Sequence, residues 1–579
     1  MDMAYKSYKY YYNIMYMKKK VIILAALSLG FTFANAQGIL GGKVTGNFQT
    51  DVQMSKEDAT IGAQKVDEKL LNNSFANILY TNGDFSAGVR FESYLNPILG
   101  FDKQYKGAGF ASRWVSYRKD FLEITAGNFY EQFGNGLVLR SYEERNLGLD
   151  NAMDGLRIVA HPYKGIVLKG VIGKQRYYWD DIWQNDNGLI RGIDADLSLN
   201  EIIPGFESSP ARLSIGGSFV SVYEKAGTQY VTLGEDSYKL NEPENIGAGA
   251  MRFNFGYNAF ALSGEFAFKG QDPNAVNSYI FRKGNAQLLT AEYTVKGLGI
   301  RLEGKRIDNM SFKSKRTETG NMLNVNYLPA ITRNHSYSLM AMYSYATQIN
   351  GEIGFSADVM YKIPKGTMLG GKYGTNVKVN FSRVYSLDTE PIDGYALNQP
   401  GTKGYDADLF AVGDEKYFSE INLEVNKKFT SDYKMNFMYS YQEFNPIAYG
   451  HAGNPMIYAH VFVVDGTYKL AAHQSLRGEI QTLFTEQDYD EFAKGNWLQY
   501  GAEYNFGGHW FLAAFDQWNY GTDQGDKVHY YNLSAGCTFG TTRVSLSYGK
   551  QRQGIMCIGG VCREVPASNG MFLTITSSF

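Results

Sequence analysis

Two cysteines near the end of the chain have the spacing of a local disulfide bond. Cys557 and Cys562 enclose four residues, among them the adjacent glycines Gly559 and Gly560. In the oxidising surroundings of an exported protein, such a pair favours a disulfide that closes a six-residue loop. A metal site would need further ligands, and the neighbouring sequence offers none. The remaining cysteine, Cys537, lies in an alternating segment and is interpreted as a small buried side chain.

A glycine-rich segment, residues 366–373, has the spacing of a phosphate-binding loop up to its last position. That position must carry a serine or threonine hydroxyl for Mg²⁺, and here it is Tyr373. The residues that follow alternate like a strand, whereas a phosphate-binding loop opens a helix. We therefore interpret the segment as a glycine-rich loop, and the sequence predicts no cofactor.

The histidines form no recognisable catalytic or metal-binding motif. They are scattered at His161, His335, His451, His460, His473, His509 and His529. There is no HExxH pair and no Cys/His cluster with zinc spacing, and no local element marks a serine as a nucleophile. The sequence therefore predicts no catalytic or metal-binding residue, and a hydrolase remains only a third hypothesis.

One segment, residues 133–155, breaks the local rhythm and carries both signs of charge at high density. Its polar residues include Arg140, Tyr142, Glu143, Glu144, Arg145, Asp150 and Asp154. Inside a barrel lumen, they could pair with charges on inward-facing strand positions, namely Arg90, Glu92, Arg252, Glu265, Arg301, Glu303 and Lys305. The two interpretations are a constricting lumen loop and an ordinary external loop in water, and the external loop is favoured.

The elements that must position these residues are β-strands, because the apolar pattern has a period of two. In residues 43–54, one face carries Val44, Phe48, Val52 and Met54, and the other face is wholly polar. This alternation is typical of strands between lipid and a watery lumen. Beyond the N-terminal segment, no apolar run of about 18 residues could form a transmembrane helix. A membrane crossing would therefore use strands.

Turn signals separate the alternating segments at hairpin spacing. They include Asn82-Gly83-Asp84, Arg118-Lys119-Asp120, Tyr257-Asn258-Ala259, Lys296-Gly297, Thr430-Ser431-Asp432 and Phe506-Gly507-Gly508. Longer polar connections lie between them, at residues 55–73, 96–107, 270–283, 388–415 and 521–526. Tight turns at one end and long loops at the other predict an antiparallel transmembrane β-barrel.

A first count gives 25 strands, whereas bacterial barrels have an even number. The tight turns change parity between residues 310 and 415, so one strand there is missed or invented. An omitted strand at residues 322–331 would give 26, and merging two candidates would give 24. The sequence thus predicts 24–26 strands, with 26 preferred.

The N-terminus has the order of a secretory signal peptide. Lys18, Lys19 and Lys20 precede an apolar run, and a small-x-small cleavage site ends at Ala36, before Gln37. Residues 1–16 are either an upstream mis-start or a long charged region. Removing residues 1–36 takes away five lysines and one aspartate and changes the formal charge from −2 to −6, which gives no indication of a nucleic-acid partner. Residues 37–579 read as one domain without linkers.

The last strand ends on an aromatic residue, Phe579. Met571, Leu573, Ile575 and Phe579 share one face, opposite Thr574, Thr576 and Ser578. This resembles the terminal strand that the outer-membrane assembly machinery recognises. More widely, the chain resembles large outer-membrane barrels of the Bacteroidota type, many of them functionally uncharacterised. The resemblance implies a place in the outer membrane, in contact with its lipid and with that machinery; no functional residue follows from it.

A barrel of this size needs something in its lumen, because an open pore so wide would make the membrane leaky. No plug domain precedes the first strand, which argues against a TonB-dependent receptor. Loops, side chains, flattening or an unknown protein partner must fill the space. The leading hypothesis is a channel or translocation pore for polar or amphipathic solutes. The alternative is a non-conducting assembly or docking barrel.

Overall fold

Twenty-four antiparallel strands form one closed ring in the computed structural model. It describes residues 41–180, 185–489, 494–523 and 525–579, so the predicted signal peptide and cleavage site lie outside the described residues. Each strand pairs with the next along the chain, and β1 pairs with β24 to close the ring. Among the described residues, no helix is long and apolar enough to cross a membrane.

The barrel strands, numbered in chain order, are β1 Lys43–Lys56, β2 Leu71–Asn82, β3 Phe85–Tyr94, β4 Gly107–Lys119, β5 Leu122–Phe129, β6 Met153–Tyr163, β7 Ile166–Gln175, β8 Leu189–Ser198, β9 Ala211–Tyr223, β10 Asn245–Tyr257, β11 Phe260–Lys269 and β12 Gly284–Val295. The second half comprises β13 Leu298–Asp308, β14 Gly351–Ile363, β15 Thr375–Leu387, β16 Val412–Lys428, β17 Tyr433–Phe444, β18 Ile457–Ala471, β19 Gln474–Thr485, β20 Trp497–Phe506, β21 Trp510–Trp518, β22 His529–Phe539, β23 Thr542–Gln551 and β24 Ser568–Ser578.

The connections add small elements only. Four short hairpins pair Glu143–Glu144 with Leu149–Asp150, Tyr230–Leu233 with Asp236–Lys239, Glu390–Pro391 with Tyr405–Asp406, and Gly554–Ile558 with Val561–Val565. The helical turns are α1 Leu199–Ile202 and the 3-10 turns Ala59–Ile61, Lys103–Tyr105, Arg145–Leu147, Phe206–Ser208, Ala275–Asn277 and Pro446–Tyr449.

The two ends of the barrel differ in their connections. Even-numbered strands lead into mostly tight turns at one end of the barrel, which we call the short-turn end. The first strand begins and the last strand ends at this same end. Odd-numbered strands lead into longer connections at the opposite, long-loop end. The predicted turns lie between paired strands, and Gly83 (φ 56°) and Asn258 (φ 52°) take the left-handed conformation that tight hairpins require.

The closed antiparallel barrel that the alternation predicts is confirmed, with 24 strands. The preferred count of 26 is wrong. Residues 309–350 form no barrel strand, and their only ladder contact in the described structure is an isolated bridge between Lys313 and Asn324. The strand predicted at residues 322–331 does not exist because these residues pack inside the barrel.

Candidate functional site

The first inserted loop, residues 130–152, connects β5 to β6 inside the lumen. Phe133, Leu137, Val138 and Leu139 are each at most 2% exposed. They belong to an apolar cluster with the inward faces of strands β7 to β13. The favoured sequence interpretation, a solvated external loop, therefore does not match the position of this segment.

Charged side chains on the barrel strands hold residues 131–135 of this loop. The Glu131 carboxylate accepts hydrogen bonds from Arg157 (2.6 Å) and Lys169 (3.0 Å) on β6 and β7. On β11, the Glu265 carboxylate accepts from the backbone N–H (2.7 Å) and the side-chain amide (2.8 Å) of Asn135. The loop is thus held by charge-assisted hydrogen bonds to three strands.

The far part of the loop is held by an arginine-carboxylate cluster. Arg90 donates two hydrogen bonds to Glu143, both 2.9 Å long. Arg176 donates to Asp150 (2.6 Å) and to Glu92 (2.7 Å) and is itself 7% exposed. Burial alone would raise the pKa of Asp150, but the charges of Arg176 and Arg90 hold that pKa below its ordinary value.

The same cluster has the residue types of a cation site. Carboxylate oxygens of Glu92, Glu143 and Asp150 lie within 4.8 Å of one another. Arg90 and Arg176 are already paired with these three carboxylates and neutralise much of their charge. The geometry therefore favours a structural ion-pair network over a metal site.

The other predicted residues of this segment have separate positions. Arg145 pairs with Glu143 at 2.8 Å, and the Glu144 carboxylate accepts from the backbone N–H of Asn146 at 3.1 Å, at the start of a helical turn. Asp154 lies on β6 and pairs with Arg113 at 3.3 Å. The segment thus divides into a lumen loop and the beginning of a strand.

The remaining predicted lumen charges also face the interior. Arg252 on β10 pairs with Asp194 (2.8 Å) and Asp196 (2.7 Å) on β8, across the intervening strand β9. Lys305 pairs with Glu352 at 2.5 Å and donates to the carbonyl of Pro329 at 2.6 Å. Arg301 and Glu303 pair with each other and line an open cavity.

The second inserted loop, residues 309–350, fills another part of the lumen. Leu339, Met340, Tyr343 and Tyr345 are buried against the inward faces of strands β15 to β22. Lumen side chains bind its backbone: the Gln481 side chain accepts from the Leu339 N–H (2.9 Å), and the Gln442 amide donates to the Met340 carbonyl (2.9 Å).

Two further pairs attach this loop to β16. Arg333 pairs with Glu424 at 2.5 Å, and the His335 imidazole lies 2.7 Å from Glu420. Ser440 also donates to Glu420, at 2.5 Å. Because the serine hydroxyl points to the carboxylate and not to the imidazole, this cluster is not a nucleophile-base pair of a hydrolase.

The two inserted loops are joined to each other. The Arg140 N–H donates to the Val325 carbonyl, and the Tyr327 N–H donates to the Gly136 carbonyl, both at 2.9 Å. The Arg140 guanidinium lies over the rings of Tyr142 and Tyr327. The loops therefore form one body, which we call the plug.

A disulfide hairpin covers the plug at the long-loop end. Cys557 and Cys562 are bonded within the hairpin formed by residues 554–565. The Tyr327 hydroxyl donates to the Gly559 carbonyl (2.7 Å), and Arg563 donates to the Asn146 carbonyl (2.7 Å). The hairpin thus touches both inserted loops. Cys537 is buried and free.

Open cavities lie below the plug. One of about 1130 Å³ reaches the short-turn end of β8 to β15 and is bounded by residues 329–333 of the second inserted loop. Its charged lining has both signs, with acids Glu201, Glu292, Glu303 and Asp358 and bases Arg212, Arg301, Arg333 and Lys378. A smaller cavity of about 810 Å³ lies beside β1 to β6. The short-turn half of the lumen is therefore partly open.

Several residues that hold the plug in place were not identified from the sequence: Arg333 in the plug itself, and Arg176, Glu420, Gln442 and Gln481 outside it. Each lies on an alternating strand or an irregular loop, where an inward polar residue has no distinctive neighbour. These residues can be distinguished from other lumen residues only when the position of the plug in the structure is known.

A model of a protein family described as a family of unknown function (DUF6029) matches residues 17–579. The sequence matches no curated protein. Among solved structures, the copper transporter OprC is similar with a TM-score of 0.38 and 8% identity, over 94% of this chain and 81% of that chain. A mutant of the ferric enterobactin receptor PfeA from Pseudomonas aeruginosa is similar with a TM-score of 0.41 and 9% identity, over 93% of this chain and 80% of that chain. OccAB4 from Acinetobacter baumannii is similar with a TM-score of 0.32 and 9% identity, over 94% of this chain and 100% of that chain. Likenesses this weak support no inference about activity.

Proposed function

The chain belongs to the DUF6029 family of unknown function, and we propose that it spans the outer membrane as a translocation channel that the plug holds closed. The observation that carries this proposal is a polar, mixed-charge lumen whose open half ends on two inserted loops. The solutes would be polar or amphipathic, because the cavity lining offers hydroxyl, amide and charged groups of both signs.

The exterior of the barrel supports membrane insertion. Exposed aromatic residues follow the short-turn end around the ring, at Phe85, Tyr117, Phe121, Tyr163, Tyr257, Phe260, Tyr293, Tyr361, Phe429, Tyr468, Trp510 and Phe539. Aromatic side chains favour the boundary between hydrocarbon and headgroups. Above this girdle the outward residues are apolar, for example Ile193, Leu302 and Ile480, each more than half exposed to solvent. Such a surface is stable only when lipid covers it.

Orientation follows from the connections. Outer-membrane barrels have short turns toward the periplasm and long loops outside, so the cavity of about 1130 Å³ would open to the periplasm. Delivery would use the signal peptide, with cleavage between Ala36 and Gln37. Passage would depend on pore geometry and electrostatics, with the plug as the gate.

Planar-bilayer conductance tests the channel. We expect the native chain to conduct little, and a variant in which a short glycine-serine linker replaces residues 310–349 to conduct strongly. A heat-dependent gel shift of both proteins would show that the barrel is folded. A folded, shortened variant that still does not conduct would overturn the channel proposal and favour the second candidate.

The second candidate is a non-conducting docking barrel. It is favoured by the extent of the plug contacts, since apolar clusters and ion pairs hold both inserted loops. On this proposal, removing the second inserted loop should leave bilayer conductance near the baseline and abolish partner binding instead.

A further inference from the structure

Five lysines cluster around one connection at the short-turn end, between β14 and β15. They are Lys362, Lys365, Lys372, Lys427 and Lys428, which we call the lysine rim. Residues 359–376 contain no acidic residue. The nearby Glu424 is already paired with Arg333 and Lys378. The rim therefore carries a concentrated positive charge, although the whole chain is slightly acidic.

The tip of this connection lies at the outer rim of the barrel. Lys427 extends the outward face of β16, on which Ile421 and Leu423 are exposed, and it donates to the Leu369 carbonyl at 2.5 Å. Met368 is 97% exposed and Leu369 is 63% exposed. Two adjacent apolar side chains thus stand exposed next to the end of the outward face of β16.

Apolar side chains ringed by lysines fit one environment, the boundary between acyl chains and anionic headgroups. Lysine is a compact phosphate-binding cation, and its flexible stem can reach headgroups from the membrane surface. The Lys428 ammonium lies 4.9 Å from the centroid of the Tyr373 ring, which places an aromatic residue of interfacial type within the rim.

We infer that the lysine rim binds the phosphate headgroups of anionic phospholipids in the leaflet at the short-turn end, with Met368 and Leu369 inserted among the acyl chains. This inference rests on the proposed membrane insertion. Lipid binding at the lysine rim would fix the height and tilt of strands β12 to β17, beside the large cavity, relative to the membrane.

Native mass spectrometry tests the site with the full chain in phosphatidylcholine nanodiscs that contain phosphatidylglycerol. We expect the native protein to retain phosphatidylglycerol selectively. In the variant Lys365→Gln/Lys372→Gln/Lys428→Gln, this preference should fall about fivefold for each lysine removed. The expected size follows because one lysine near an anionic surface contributes about 1 kcal/mol to lipid binding. The matched control, Lys103→Gln/Lys106→Gln/Lys225→Gln, removes the same charge at the long-loop end and should retain the preference.

A second measurement addresses the apolar tip. Phosphatidylglycerol with brominated acyl chains should quench the fluorescence that Met368→Trp adds to that of the native tryptophans, with the native chain measured in parallel to subtract the quenching of Trp510. Equal retention of both lipids by the native chain, equal loss in the control, or an unquenched Trp would overturn the inference. Binding of polyglutamate without lipid preference would indicate an acidic protein partner and would also overturn it. Failure to enter nanodiscs at all would instead refute the membrane proposal beneath it.

Discussion

The guanidinium carbon of Arg140 lies 4.0 Å from the centroid of the Tyr327 ring. Arg140 belongs to the first inserted loop and Tyr327 to the second. The Tyr327 hydroxyl in turn donates to the disulfide hairpin at Gly559. Three separate parts of the chain therefore meet at this cation-π pair, and the two inserted loops can separate only if contacts at this junction break.

Replacing Arg140 by alanine should loosen the junction. A cation-π contact contributes about 0.5–2 kcal/mol, so amide exchange in residues 323–329 should accelerate about twofold to thirtyfold. Arg543→Ala is the matched control, because Arg543 lies 5.1 Å from the Phe511 ring, away from the plug. Equal acceleration in both variants, or none in Arg140→Ala, would contradict the assigned role.

Arg176→Met should destabilise the first inserted loop more strongly. It removes the nearest guanidinium from the buried carboxylates of Glu92 and Asp150 and leaves them only the longer ion pairs with Arg90, at 3.6 and 3.7 Å. The cost should therefore approach, without exceeding, the value of about 3–5 kcal/mol for a fully broken buried ion pair. Hydrogen exchange within residues 130–152 measures the loss. The triple variant Glu92→Gln/Asp150→Asn/Arg176→Met should recover part of it, whereas unchanged exchange in Arg176→Met would mean that the cluster does not hold the loop.

The first inserted loop should also loosen in acid. The pKa of Asp150 is lower in the folded chain than in the unfolded chain, so its contribution is fully present above the unfolded value of about 3.9 and is lost as the pH falls through the folded value. The protection of the amides of residues 130–152, taken relative to the intrinsic exchange rate at each pH, should therefore decrease below about pH 4. The informative quantity is the difference in protection between the native chain and Asp150→Asn, because protection in that variant should depend less on pH.

The disulfide hairpin should act on the plug without affecting the barrel. In Cys557→Ser/Cys562→Ser, we expect faster exchange near Tyr327 and Thr347, whose N–H donates to the Gly560 carbonyl at 3.1 Å. The heat-dependent gel shift should be unchanged. Cys537→Ser, which alters only the free cysteine, should behave as the native chain. Loss of the gel shift in the double variant would mean that the disulfide supports the barrel itself.

The barrel could be predicted because its signal is local. A strand between two environments must alternate, as Leu298, Ile300 and Leu302 do, and each hairpin needs turn residues such as Gly83 or Asn258. Both patterns lie within about ten residues. The error in the count came from the one long segment where apolar residues recur without forming a strand.

The lumen loop is only the less favoured of two interpretations of the sequence, because the partners of the plug are distant in sequence. The Leu339 N–H donates to the Gln481 side chain, and Arg140 contacts the Val325 carbonyl and the Tyr327 ring. The local charge density at Glu143 and Arg145 is also compatible with an external loop in water, since a sequence does not distinguish paired charges from solvated ones. The nearest available signal was the apolar run Leu137, Val138 and Leu139 beside those charges, which an external loop would have no reason to carry.

Phe579 offers a test that separates assembly from stability. Its backbone N–H and carbonyl both pair with Gly46 at 3.0 Å, and a Cβ at Gly46 would collide with its ring, so the terminal residue lies on the seam between β1 and β24. If Phe579 is the assembly signal, Phe579→Ala should lower the amount of folded barrel in cells severalfold. Refolding from urea into detergent should change by no more than about twofold, as for a mild surface substitution. Leu573→Ala, on the same face of β24, is the control and should assemble normally in cells. Equal losses in cells and in detergent would assign Phe579 to seam stability and would remove the basis for an assembly signal.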